Sequence, residues 1–157
     1  MPDYFILLKN CGNSWNDQDK KLLSDQMKVG WDLGQNTVHR LQLKPGDKAL
    51  IYISGNNARV FVGEATVGSI AVKPTKAQLM KLNTMPLVAY ADFWFRFRDF
   101  QLWCKPMKMA DVIEGLSFIN NKKNYGSYLM GGVKRISPYD YAYLLECADK
   151  HICRSVD

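Results

Sequence analysis

Three observations predict an α+β fold, a small, partly open barrel of mostly antiparallel strands with helices at its margins. Residues 43–54 and 59–67 read as two arms of a hairpin, and residues 88–104 are long and strand-like. Helix-start patterns at Asn16 and Ser137 lie towards the two ends of the chain. Strands and helices do not alternate as βαβ units, and neither GxGxxG nor a P-loop occurs, which argues against a dinucleotide fold.

Taken in order, residues 4–9 form an apolar run that ends at Asn10, Cys11 and Gly12, the pattern of a central strand entering a turn. Asn16 caps a helix from residue 17 to about 28, with Asp19 at its third position and Leu22, Leu23 and Met27 on its core face. Gly30 ends that helix and delivers Trp31 into a polar loop, GWDLGQN. Lys44-Pro45-Gly46-Asp47 spells a turn before the apolar run 49–53, and Gly55-Asn56-Asn57 connects it to RVFVGEATV, where Gly63 marks a bulge or a close approach. Thr75 and Gln78 make a capping box for a short helix through Leu82. In FWFRFR, Phe93, Phe95 and Phe97 face one way, and the phase slips after Asp99, where a bulge or change of strand is expected. Residues 109–114 read as a helical turn. Ser137 at the cap, Pro138 at the first position and Asp140 reaching back start a last helix to about Lys150.

The chain of 157 residues is expected to be a single domain over 1–157, with no repeat or linker to divide it. Hydrophobic residues at 47% and charged residues at 23% are ordinary for a globular protein, and no apolar run is long enough to cross a bilayer. The N-terminus lacks the basic flank of a signal peptide. Cys11, Cys104, Cys147 and Cys153 form no CxxC pair, so unbridged thiols and a cytoplasmic setting are expected. The net charge of +6 is unevenly placed: residues 115–139 contain Lys122, Lys123, Lys134 and Arg135 and no acid.

Cys147, His151 and Cys153 sit close together but lack an obvious fourth ligand, so neither a metal nor any other cofactor is expected. A nucleophilic enzyme would need Cys11 or a Ser beside a His, and His39 is the interior candidate, with no signature around it. The aromatic and basic residues say more. Trp31 follows a Gly in a polar loop, where a ring serves either as a platform for a base or as a lid plugging one end of the barrel. Asn120-Asn121-Lys122-Lys123-Asn124-Tyr125 reads either as a solvated loop or as amides and lysines placed for base edges and phosphates. Together with the acid-free stretch, these residues make a coherent nucleic-acid hypothesis.

The ordered set Leu43-Lys44-Pro45-Gly46-Asp47-Lys48, Leu50-Ile51-Tyr52, Val62-Gly63-Glu64-Ala65, Phe118-Ile119-Asn120-Asn121-Lys122-Lys123 with Tyr125, and Ile136-Ser137 with Asp140-Tyr141 resembles the EVE domain family, in particular its stand-alone members. The resemblance implies a PUA-like pseudo-barrel related to YTH and ASCH domains, binding DNA or RNA through a modified base, with no membrane partner and no catalysis. It further implies a base pocket drawn from Lys9, Asn10, Cys11, Trp15, Trp31, Asp32, Ser54, Gly55, Asn56, Asn120, Asn121 and Tyr125, with Lys122, Lys123, Lys134 and Arg135 on phosphates. Tyr125 stands where similar proteins often carry Trp, and the stretch between Trp31 and Leu43 matches nothing, which leaves the second wall of the pocket unassigned. The alternatives on the same fold are an ASCH-like RNA-processing nuclease and a small-metabolite or protein-interaction module.

Overall fold

The computed structural model describes residues 1–35, 37, 40–88, 91–123, 125–129 and 132–154. Its elements run β1 (Tyr4–Asn10), α1 (Asp17–Val29), β2 (Trp31–Leu33), β3 (Lys48–Ser54), β4 (Val60–Val67), α2 (Lys76–Leu82), β5 (Phe93–Phe95), β6 (Phe97–Lys108), α3 (Met109–Val112), β7 (Val133–Ile136) and α4 (Pro138–Lys150). Short 3-10 turns lie at Arg40–Gln42, Ile113–Gly115 and Tyr125–Leu129.

Five strands form one sheet in the order β6-β4-β3-β1-β7, and β2 pairs with β5 in a second, two-stranded sheet. Only β1 and β3 run parallel; the other pairings are antiparallel. Among the described residues the strands do not close into a barrel, because β6 and β7 remain as edges. The α+β class holds, with the barrel opened into a five-stranded sheet and a two-stranded one.

The central strands are apolar on both sides because both of their faces are covered. Phe5 and Leu7 of β1 join Ala49, Ile51 and Ile53 of β3 in one core, together with Leu23 and Met27 of α1. Ile6, Leu50 and Tyr52, offset by one residue, pack on the other side with Met109 and Val112 of α3 and with Leu144 and Ala148 of α4. The β1–β3 pair is therefore a wall with a separate core on each side.

Local signals place the helices where the sequence puts them. Asn16 and Thr75 form capping boxes with Asp19 and Gln78, and Ser137 accepts from the Asp140 N–H with Pro138 in the first turn. Gly63 does mark a close approach: a Cβ there would lie 2.6 Å from the Gln101 carbonyl oxygen of β6, and the ladder slips register beside it. Two expectations need correction. The change of strand comes at Arg96, between β5 and β6, while the expected bulging does occur nearby, since the β4–β6 ladder shifts register between Phe97 and Asp99 and again between Leu102 and Met107. Trp31 lies in a strand and not in a loop, because β5 pairs with it residue for residue, Trp31 opposite Phe95.

Candidate functional site

On the α1 side of the wall, near the end of β1, lies Lys9, which alternation turns inward behind Phe5 and Leu7. An ammonium delivered into a core needs partners, and the chain supplies three. Lys9 Nζ donates to Asp32 Oδ1 at 2.5 Å and to the Leu87 carbonyl at 3.2 Å, and it sits 4.6 Å from the centre of the Trp31 ring. Lys9 and Asp32 are each 7% exposed and Trp31 is 1% exposed. Gln26, on the inner face of α1, donates from Nε2 to Asp32 Oδ1 at 2.7 Å, while its Oε1 is buried with no partner among the described residues. Desolvating an ion pair costs about as much as the pairing returns, so this cluster contributes little to stability for its size. Chemically it is an aromatic plane ringed by donors and acceptors, the set that recognises a flat heterocycle.

On the far side of the wall lies an open cleft of about 520 Å³ at the C-terminal end of β3. Tyr52, Ser54, Gly55 and Asn56 line one side, and Lys123, Tyr125 and Gly126 the other, with Arg59 and Leu129 completing it. Burial, and then the interaction and hydrogen bond with Tyr125, hold the Tyr52 phenol well above its ordinary pKa, so it stays protonated at neutral pH. The Arg59 guanidinium lies 5.8 Å from the Tyr125 ring centre, and its Nη2 donates to Asn56 Oδ1 at 3.3 Å.

The sequence-predicted site residues are thus divided. Lys9, Asp32 and Trp31 converge on one face, with Cys11 and the half-buried Trp15 packed in the same core. Ser54, Gly55, Asn56, Lys123 and Tyr125 converge on the other. Asn10 is occupied by its own turn, its Oδ1 accepting from the Gly12 N–H at 2.8 Å. Exposed Asn120 lies outside the cleft lining, and Asn121 turns its Oδ1 to the Lys123 N–H at 3.2 Å. Of the cations, Lys122 donates to the Leu116 carbonyl at 2.8 Å, Arg135 pairs with Asp3 at 2.9 Å, and Lys134 lies 5.4 Å from the Phe118 ring centre. His39 and Asn124 lie outside the described residues.

Burial first, then the Asp19 carboxylate, pushes the Cys11 thiol up to about 11 against the opposing pull of Lys9, which keeps it unreactive at neutral pH. Cys153 is buried and Cys147 half-buried, and among the described residues no three His, Cys, Asp or Glu side chains gather as a metal site. Sequence reasoning missed Gln26, Tyr52 and Arg59. Tyr52 was within reach, since it shares a strand face with Ser54. Gln26 sits beside Met27 on the buried side of α1, where an amide calls for a partner.

A family model for the EVE domain matches residues 3–147. The chain belongs to the EVE domain family. A search of curated protein sequences returns no match. Among solved structures, the EVE chain is similar to a hypothetical protein from Leishmania major, with a TM-score of 0.65 at 17% identity over 96% of this chain and 97% of that one. It is similar to human THYN1 in complex with 5-methylcytosine containing DNA, with a TM-score of 0.57 at 14% identity over 92% and 96%. It is also similar to the YTH domain of Zygosaccharomyces rouxii MRB1 in complex with N6-methyladenosine RNA, with a TM-score of 0.56 at 11% identity over 99% and 87%. At these identities the likeness shows a shared fold. No helix among the described residues is long and apolar enough to cross a membrane.

Proposed function

We propose that this EVE protein is a nucleic-acid binding module that accepts a modified base of DNA or RNA onto the face of Trp31, and that it binds without catalysis. The observation that carries the reading is the Lys9 ammonium, 4.6 Å from the Trp31 ring centre and clamped by Asp32. It occupies the place of a stacked base, so an incoming base displaces it towards the phosphates while Asp32, Gln26 and the ring remain. The unpartnered Gln26 Oε1 then gains a donor from the base edge. Two similar structures, the human THYN1 and yeast YTH complexes, hold nucleic acid with a methylated base, which supports this reading.

Extracting a base costs a few kcal/mol, least from a single strand. Stacking on an aromatic ring returns about 1–3 kcal/mol per base. One buried methyl adds only about 0.8 kcal/mol, so discrimination between modified and plain bases is modest unless the pocket shape adds to it. Lys122, Lys123, Lys134 and Arg135 are the cations assigned to phosphates, with Lys123 at the open cleft.

The test is a tryptophan fluorescence titration with short single and double strands carrying N6-methyladenine, 5-methylcytosine or plain bases. Tighter binding of a modified strand, weakening with salt and reduced in Lys9→Met/Asp32→Leu, is expected. Equal binding of modified and plain strands sinks the pocket assignment, and cleavage of a labelled RNA sinks the non-catalytic reading.

A further inference from the structure

We propose that the Tyr125 cleft is a second nucleotide subsite that takes the neighbour of the base on Trp31, so that the ligand is a single strand of at least two nucleotides. The inference rests on the Trp31 reading and extends it to the opposite face of the wall.

The two sites stand back to back at the same end of the sheet. Lys9 and Asn10 of β1 pair in register with Ile53 and Ser54 of β3, and Ser54 Oγ donates to the Lys9 carbonyl at 3.4 Å. Beyond the strands, the Asn57 N–H donates to the Asn13 carbonyl at 3.2 Å, which joins the turn after β1 to the turn after β3 as a single rim. A strand draped over this rim drops one base on each side. Duplex DNA, whose bases stay stacked, reaches only one side per extruded base.

The cleft has the chemistry for a base and its phosphate. Tyr125 offers a half-buried ring, held by Tyr52, on which any base stacks whatever its identity. Arg59 lies over that ring, 5.8 Å from its centre, so a base stacks on the ring's other face or against the planar guanidinium. Asn56 supplies an amide for a base edge, and among the described residues the cleft's charged lining is Lys123 and Arg59, with no acid. At about 520 Å³ the cleft falls within the range of small-ligand sites, about 300–1,000 Å³. Arg59 adopts φ 57°, uncommon for a residue with a side chain, and so holds its backbone in a special conformation at this opening.

The experiment compares a modified nucleoside with a five-nucleotide single strand carrying the same base at its centre, against the full-length wild type, Tyr125→Ala and Tyr125→Phe. Expected is a strand affinity at least about tenfold above that of the nucleoside, lost in Tyr125→Ala and kept in Tyr125→Phe, with nucleoside affinity unchanged in all three. If Tyr125→Ala does not fold, Lys123→Ala together with Asn56→Ala replaces it, and loss of part of the strand's advantage is the supporting result. A strand advantage untouched by these substitutions overturns the second subsite and leaves the Trp31 site standing. Failure of the wild type to bind either ligand overturns the Trp31 reading itself.

Discussion

The Trp31 face and the Tyr125 face hold aromatic rings in opposite ways. Trp31 is sealed beneath an ammonium whose charge is answered by Asp32, the Leu87 carbonyl and the ring itself. Tyr125 stands at an open cleft, where water solvates Arg59 and Lys123. The first ring is preorganised but closed, and a ligand must displace an internal group to reach it. The second is open at once, and its charges are worth less because solvent screens them. Strong electrostatics and easy access thus sit on different faces of one strand pair.

The sharpest way to break this contrast is Asp32→Ala. It leaves the Lys9 ammonium buried without its carboxylate and is expected to cost about 3–5 kcal/mol, read as a shift of the urea midpoint. Replacing both partners, Lys9→Met/Asp32→Leu, is expected to restore most of that loss while binding stays impaired. An Asp32→Ala protein as stable as wild type would mean that the pair is solvated and the two faces are alike.

Gly55→Ala tests the rim that the faces share. Gly55 has φ 120° and a Cβ there would lie 2.7 Å from the Asn13 Cα, so the variant is expected to lose about 1–3 kcal/mol and to weaken ligands on both faces.

Alkaline pH sharpens the comparison further. The unfolded Cys11 thiol titrates near its ordinary 9.0 and the folded one at about 11, so the folded state binds the proton more tightly. Its contribution is complete below pH 9 and fades as pH rises towards 11, and Cys11→Ala is expected to flatten that part of the stability curve. Iodoacetamide at pH 8 is expected to modify exposed Cys104 well before buried Cys11.

The smallest effect is expected of Lys123→Ala, which leaves the unfolding midpoint in place and lowers the salt slope of nucleic-acid binding by about 1. An unchanged slope would remove Lys123 from the phosphate path.

Elements set by local chemistry were legible in advance. Asn16, Thr75 and Ser137 cap their helices through residues three positions away, and the turn at Lys44 to Asp47 that leads into β3 closes on itself, with Lys44 Nζ donating to Asp47 Oδ1 at 2.7 Å. Trp31 was not legible as a strand residue, because what makes it one is β5, far along the chain. The same holds for the site. Its residue types were on the page, but their grouping was not, since Lys9 and Tyr125 belong to opposite sides of a wall that exists only once β1 and β3 pair.

The continuous apolar runs of β1 and β3 decided that each strand has two apolar faces, and the order of short motifs along the chain pointed to the EVE family. Those are properties of neighbouring residues, carried by backbone geometry with a period of two. Which partners fill each face is another matter. The burial of Lys9 against Asp32 and Trp31, the unpartnered oxygen of Gln26 and the meeting of Arg59 with Tyr125 depend on contacts between distant segments, and packing alone brought them together.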